Sequence, residues 1–338
     1  MGSRTVARGG GTFITFAAIA LAMIAILSPS AGHGAYPGTN GPIAFAGRPL
    51  TESDYNIFTV LPSGLGLQQL TDNAVSEYEP SWSPDGQRLA YIRGVPGTRG
   101  GYQVFKMNAS GKNQTRVTHD NGIDSSPGFS PNGRRLVYAK DNSEVVDDDT
   151  PRRVSIFKIR PDGTKQRRLV TGFVRAPQYS PDGNRIVFEG IPKGKDQRSY
   201  GIWTVDPDGS HLRRLTHPES SADQDPDWSP DGRHIVFLRC NVDSIHGCDY
   251  DSYVYLMRAN GSYKHPISPI SNLAAPAYSP AGGRIALAIV GGENCSDIYT
   301  ITTSGSDPRG VTHNCDNPQG GHVAQPSWQP IPQPDGLW

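Results

Sequence analysis

One feature constrains the fold more than any other: a short motif that returns at a nearly fixed interval. Pro80-Ser81-Trp82-Ser83-Pro84-Asp85-Gly86 is its first copy. It returns as Gly128-Phe129-Ser130-Pro131-Asn132-Gly133, Gln178-Tyr179-Ser180-Pro181-Asp182-Gly183 and Asp227-Trp228-Ser229-Pro230-Asp231-Gly232. A worn copy follows at Ala277-Tyr278-Ser279-Pro280-Ala281-Gly282, and a truncated one at Pro326-Ser327-Trp328-Gln329-Pro330. The motif serines, with Gln329 in the last place, lie at 83, 130, 180, 229, 279 and 329, in steps of 47, 50, 49, 50 and 50. A fixed period of this size means repeated supersecondary units.

Each copy reads as a β-hairpin. The aromatic residue ends one strand, Pro presets φ near −65° in the turn, and Gly supplies φ > 0. An apolar strand follows, as in Arg185-Ile186-Val187-Phe188. A third strand carries an apolar-aromatic pair: Ile57-Phe58, Val104-Phe105, Ile156-Phe157, Ile202-Trp203, Val254-Tyr255 and Ile298-Tyr299. It ends at a turn with Gly64, Gly111, Gly163, Gly209, Gly261 or Gly305, where Asp162-Gly163 and Asn260-Gly261 are strong hairpin signals. A short fourth strand closes the unit, as in Arg214-Leu215-Thr216. No stretch between them has helical periodicity. Four antiparallel strands in each of six units predict an all-β, six-bladed β-propeller. We label the strands A to D, with A carrying the aromatic, and name each unit by that aromatic. Asn40 to Phe45 reads as a B strand without its A strand, and Pro326 to Pro330 is an A strand without its B. Pairing the C-terminal strand A with the N-terminal strands B to D would close the ring.

The repeat resembles that of the TolB-like β-propeller family, whose WD-repeat-like units carry this Trp-Ser-Pro-Asp-Gly signature followed by a strand such as Arg88-Leu89-Ala90-Tyr91. The resemblance covers residues 40 to 330. It implies a propeller fold. It leaves the role open, because such units occur in periplasmic scaffold proteins, in the propellers of some peptidases and in a few lyases. On this reading the chain is expected to depart from the family's namesake, whose propeller is preceded by an α/β domain, because the residues before 40 are too few for one.

Residues 1–31 stand apart. Arg4 and Arg8 form a basic start, Phe13 to Leu27 is uncharged and mostly apolar, and Ser28-Pro29-Ser30-Ala31-Gly32 offers small residues for cleavage. This is the pattern of a secretory signal peptide. The alternative is a retained anchor, for which the run is short against the ~20 residues of a span. No Cys follows to carry a lipid. Residues 32–39 form a lead-in, 40–330 the propeller and 331–338 a Pro-rich tail. The expected location is secreted, periplasmic or in the cell envelope, with no stable membrane span after cleavage. The 32 basic and 32 acidic residues balance, which speaks against a nucleic-acid partner.

Four cysteines fit that address. Cys240 and Cys248 fall in the B–C loop of one unit. Cys295 falls in the next B–C loop and Cys315 in the D–A loop after it. In an up-and-down blade both loop types emerge on one face, so Cys240–Cys248 and Cys295–Cys315 bridges are expected, among three possible pairings. A zinc-thiolate site would want a Cys-x-x-Cys spacing that is missing.

No catalytic motif is present: no Gly-x-Ser-x-Gly, no His-Glu-x-x-His and no phosphate-binding Gly-Lys-Ser/Thr. His119, His217 and His313 each follow the Thr after strand D in alternate units. Three such outer ends lie far apart, whereas metal ligands must converge to ~2 Å from one ion. Carboxylates just before strand A converge better: Glu77, Glu79, Asp124, Asp223 and Asp225. Strand A is innermost, so these loop ends crowd the mouth of the central channel and focus negative potential there. They could hold Ca²⁺ through oxygen ligands, although no cofactor is required, or receive a basic peptide. Equally, each could cap its own loop or pair with an arginine such as Arg175. Ala176, Ala275 and Gln325 interrupt the ring.

Trp82, Phe129, Tyr179, Trp228, Tyr278 and Trp328 are assigned to packing between blades. The loop aromatics are Tyr55, Tyr78, Tyr250 and Tyr263. The loop 141–153, with Glu144, Asp147, Asp148, Asp149, Arg152 and Arg153, reads as solvated, with a lid as the alternative. The expected function is a non-enzymatic module for a protein or peptide partner, contacted through the acidic mouth and the face of the B–C and D–A loops. The alternatives are a metal-dependent polysaccharide lyase or hydrolase, and a carbohydrate-binding propeller.

Overall fold

The computed structural model describes residues 35–332, apart from 50–51, 98–100, 143–152, 197–199, 220, 242–251, 269–270, 272, 292–294 and 316–320. The regular structure among the described residues is all strand. The chain opens with β1 (Thr39–Arg48), β2 (Asn56–Val60) and β3 (Gln68–Gln69). The Trp82 unit holds β4 (Glu77–Trp82), β5 (Arg88–Gly94), β6 (Tyr102–Asn108) and β7 (Thr115–Arg116). Next come β8 (Ile123–Phe129), β9 (Leu136–Asp141), β10 (Val154–Ile159), β11 (Arg167–Tyr179), β12 (Ile186–Pro192), β13 (Gly201–Val205) and β14 (Arg213–Arg214). The Trp228 unit holds β15 (Ser221–Trp228), β16 (His234–Asn241), β17 (Ser252–Arg258) and β18 (His265–Pro266). The Tyr278 unit holds β19 (Leu273–Tyr278), β20 (Arg284–Gly291), β21 (Cys295–Thr302) and β22 (Arg309–Gly310), and the last strand is β23 (His322–Ile331).

Pairing is antiparallel throughout. Three sheets are consecutive four-strand meanders, β4 to β7, β15 to β18 and β19 to β22. In a fourth, the C-terminal β23 lies on β1, in the order β23-β1-β2-β3, with Trp328 opposite Ile43. The fifth runs over seven strands, β8 to β14. Its cause is β11, where the D strand of the Phe129 unit continues into the A strand of the Tyr179 unit with no turn between. Gly172 is the hand-over: it faces Val154 of β10 on one side and Pro192 of β12 on the other.

The repeated turns explain the motif. The Ser83 hydroxyl accepts the Arg88 N–H at 2.9 Å and donates to Asp85, whose carboxylate also accepts the Gln87 N–H at 3.0 Å. The same lacing recurs at Ser130–Asn132, Ser180–Asp182 and Ser229–Asp231. Ala281 lacks that side-chain acceptor; its own N–H instead donates to the Asn40 side chain of β1 at 3.0 Å. The C–D turns meet the preceding unit's outer strand: a Cβ on Gly111 (φ 79°) would lie 2.4 Å from the Leu70 carbonyl, and one on Gly261 (φ 83°) 2.8 Å from that of Leu215. Only glycine fits that approach.

Among the described residues the core is divided into six apolar clusters, and each contains one motif aromatic with residues of two successive units. Trp82, for example, packs on Ala44, Ile57, Leu89 and Met107. Burying an aromatic of this size contributes about 2–3 kcal/mol, so the six aromatics act as spacers between sheets. The first strands contact one another in sequence: β23 on β4, β4 on β8, β8 on β11, β11 on β15, β15 on β19, and β19 back on β23.

The fourth strands are shorter than expected, two residues each apart from the run-through β11. Cys240 lies within strand β16 rather than in a loop, its Sγ 3.6 Å from the Ala222 carbonyl. Part of the lead-in is built into the fold: β1 starts at Thr39, and Ala35 and Tyr36 are buried, because a small and an aromatic side chain find apolar surroundings.

Candidate binding face at the channel mouth

Each innermost strand is bulged at one place, three residues before the motif aromatic. Glu79, Ser126, Ala176, Asp225, Ala275 and Gln325 all have positive φ, between 49° and 58°. Each precedes a proline. A residue before proline is normally extended, and a non-glycine residue in this region costs of order 1–3 kcal/mol. The pairing slips at each of these points, as between Tyr78 and Ser81 or Gln224 and Asp227. Bulges of this kind bend a strand and re-aim its side chains.

The bulge residues link neighbouring units. The Gln325 side chain accepts the Glu79 N–H at 3.0 Å, and the Glu79 carboxylate accepts the Ser126 N–H. Ala176 has no such acceptor. There the Asp225 N–H goes to Glu189, at 2.6 Å, on the second strand of the preceding unit. Glu189 also takes the Tyr200 hydroxyl at 3.1 Å and lies 3.4 Å from Arg175.

Two positions before each bulge, the chain chooses between a charge pair and an apolar pair. Glu77, Asp124 and Asp223 face Arg93, Lys140 and Arg239 across the sheet. In the other units the same positions hold Val174–Gly190, Leu273–Ile289 and Val323–Gly47. Glu77, Asp124 and Asp223 are fully buried. Glu77 pairs with Arg93 at 2.5 Å, and Asp223 takes Arg239 in two bonds of 2.6 and 2.9 Å. Asp124 accepts the Thr118 hydroxyl, while Lys140 pairs with Asp120. Burial pushes the Asp124 carboxyl up to about 7 against the pull of Thr118, and it raises Glu77 against the pull of Thr71 and Arg93. Of the five carboxylates, then, Glu79 and Asp225 sit on the bulge, and the other three lie two residues behind it: Glu77 and Asp223 on cross-strand arginines of their own units, and Asp124 on Thr118. The arginine that pairs is the cross-strand one; Arg175 instead faces Glu189.

Half-exposed side chains stand between these two buried rows: Tyr78, Ser125, Arg175, Gln224, Ala274 and Ala324. Tyr78 gathers other aromatics. Its ring centroid is 4.8 Å from that of Tyr55 and 5.6 Å from that of Tyr102, and the Arg48 guanidinium lies over Tyr55. All three rings are half-buried. Glu79 lies close enough to raise the Tyr102 hydroxyl further after burial and Asp54 have done so. Tyr55 stands in a loop as expected, whereas Tyr78 lies within β4 opposite Ile92 rather than in a loop; that Tyr102 joins them follows only from the register. Tyr263 stands elsewhere, 70 % exposed under Arg258. Tyr250 lies outside the described residues.

The Cys295–Cys315 bridge forms, with Cα atoms 5.2 Å apart; Cys295 is the first residue of β21 rather than part of a B–C loop, and Cys315 follows the fourth strand of the same unit. Cys248 lies outside the described residues, and so does the acidic loop from 143 to 152. His119, His217 and His313 are exposed and belong to separate units. Among the described residues, no group of three or more His, Cys, Asp or Glu side chains is placed to hold a metal ion, and no helix is long and apolar enough to cross a membrane.

No family model matches the chain. An uncharacterized protein of Agrobacterium fabrum is 32% identical over 138 residues, 39% of this chain and 45% of the relative. An uncharacterized peptidase of Bacillus subtilis, YuxL, is 28% identical over 123 residues, 36% of this chain and 18% of the relative. The chain thus spans less than half the length of these curated relatives. Among solved structures, TolB from Acinetobacter baumannii superposes with a TM-score of 0.68 at 19% identity, over 86% of this chain and 67% of that one. A TolB protein of Agrobacterium tumefaciens gives 0.60 at 18%, over 80% and 88%. The fold is that of a TolB-like β-propeller. An oligogalacturonate lyase in complex with manganese shares the architecture at 13% identity, with a TM-score of 0.57 over 84% of this chain and 78% of that one. At such identities the TolB-like likeness is one of fold.

Proposed function

We propose that this chain is a closed six-bladed propeller, exported to the cell envelope or beyond, that works as a non-enzymatic binding module. The seven-stranded sheet counts as two blades because β11 belongs to both, and the cycle of first-strand contacts then has six members. Its partner is a protein or peptide segment, taken on the loop face at the channel mouth without a cofactor. The observation that carries this reading is the aromatic trio of Tyr55, Tyr78 and Tyr102. Half-buried tyrosines with an adjacent arginine are what interface hot spots are made of. Here they border the carboxylates of Glu79 and Asp54, both close enough to act on Tyr102, which favours a partner segment bearing basic residues. The disulfide suits an oxidising compartment.

The test is capture from an envelope extract, followed by calorimetry with the captured protein in pure form. Tyr78→Ala or Tyr102→Ala should weaken Kd tenfold or more, which is about 1.4 kcal/mol. Glu79→Gln should weaken it less and flatten its salt dependence, and Tyr263→Ala should leave it unchanged. A purified partner that binds Tyr78→Ala as tightly as the parent would remove the trio from the account. Binding of oligosaccharides and of no protein would replace the reading with a carbohydrate-binding one.

A further inference from the structure

The start of the described chain runs into the interior. Ala35 packs with Val236, Tyr278 and Ile285, and Tyr36 with Ala90, Phe129 and Leu136. The Tyr36 hydroxyl donates to the Phe129 carbonyl. These contacts belong to well-separated units, so the two residues reach across the centre of the molecule. The innermost-strand residues just before the motif aromatics are mostly small there: Ser81, Gly128, Ala277 and Ser327, with Gln178 and Asp227 as the exceptions.

Asp227 poses a problem that the fold itself leaves unsolved. Its side chain is fully buried. Oδ2 accepts the Tyr278 N–H at 2.7 Å, while Oδ1 has no hydrogen-bond partner among the described residues. Besides the Tyr278 and Trp228 amides, the backbone nitrogen of Ala35 is directed at this carboxyl; among the described residues no Lys, Arg or His acts on it, and burial raises it well above the usual carboxylate range. A buried carboxylate without a cation is costly. An amide N–H at Ala35 offers one donor and no charge. An α-ammonium on the same nitrogen would offer three donors and a full positive charge.

The sequence before Ala35 allows that. Gly34 and Gly32 put small residues at the first and third places before the Gly34–Ala35 bond, seven residues beyond the end of the apolar run at Leu27, which is the layout of a leader cleavage site. We propose that the Gly34–Ala35 bond is the processing site of this chain, and that the freed α-ammonium of Ala35 is the counter-ion of Asp227. An export-linked endopeptidase would hydrolyse the bond. Water's oxygen ends on the Gly34 carboxylate, and the Ala35 nitrogen takes up protons to become the ammonium. Processing therefore falls at Gly34 rather than within Ser28 to Gly32, and it completes the core as well as releasing the protein.

The experiment is to express the full chain in an exporting bacterium and to read the N-terminus of the recovered protein by intact mass and terminal sequencing. Ala35 as the first residue is the expected result; any other N-terminus, or an uncleaved chain, overturns the proposal. A second measurement tests the ion pair. Acetylation near neutral pH favours an α-amine, whose pKa is about 8, over lysines at about 10.4. The folded protein should react at Ala35 at least tenfold more slowly than the same protein in denaturant, and Asp227→Asn should restore most of that reactivity. An Ala35 amine equally reactive in the folded parent and in Asp227→Asn removes the counter-ion role.

Discussion

At the scale of single residues, the informative group is Asp124. Its carboxyl titrates at about 7 in the folded protein because burial outweighs the Thr118 hydrogen bond, against about 3.9 in an unfolded chain. Between those values the folded protein keeps a proton that the unfolded chain has lost. Stability therefore falls as pH rises through this window and is flat on either side. For the group alone the span is about 4 kcal/mol. Glu77 is raised in the same direction and steepens the trend. Thermal melts between pH 5 and 8 should show the parent losing stability as pH rises, and Asp124→Asn losing clearly less. A variant curve parallel to the parent's would mean that Asp124 does not hold this proton. The acidic positions were legible in the sequence, because they recur before the motif. Their burial was not, because it depends on which residue the pleat sets opposite each one.

At the scale of the element, the cross-strand pair decides. Asp223–Arg239 occupies the place that Leu273–Ile289 fills in the next unit. Breaking a buried pair from one side strands a charge and costs about 3–5 kcal/mol, whereas an apolar pair of similar volume is often neutral or better. Arg239→Ala should accordingly lose that much stability in urea denaturation. The double variant Asp223→Leu, Arg239→Ile, which copies the neighbouring unit, should recover most of it. A double variant as unstable as the single one would show that the two units do not share an environment. By contrast, the Arg88–Asp85 pair has side chains 36% and 49% exposed, and an exposed pair contributes less than about 1 kcal/mol. Asp85 matters more as the acceptor that shapes its turn. The pairing rule was latent in the sequence, since Arg93, Lys140 and Arg239 all stand eleven residues after the motif aromatic, but only the register turns that spacing into contact.

At the scale of the whole molecule, the ends of the chain meet. β23 lies on β1, and Trp328 completes a cluster with Ile43, Phe45, Ala277 and Ile298. A chain ending before His322 should lose its single cooperative melt and self-associate on size exclusion, because β1 then presents an open edge. A truncated chain that melts like the parent would show that this pairing adds little. The repeated four-strand unit, the aromatic spacers, the turns and the strand that returns to the start were legible along the chain, because these rest on local preferences repeated with one period. The Cys295–Cys315 bridge was an expectation among three possible pairings, and the fold forms it by bringing the two Cα atoms to 5.2 Å. The six bulges, the aromatic trio and the burial of Ala35, Tyr36 and Asp227 emerge only when the units pack against one another. No residue before a proline prefers positive φ by itself; neighbouring sheets impose it, and contacts between units are written in geometry rather than in any one stretch of chain.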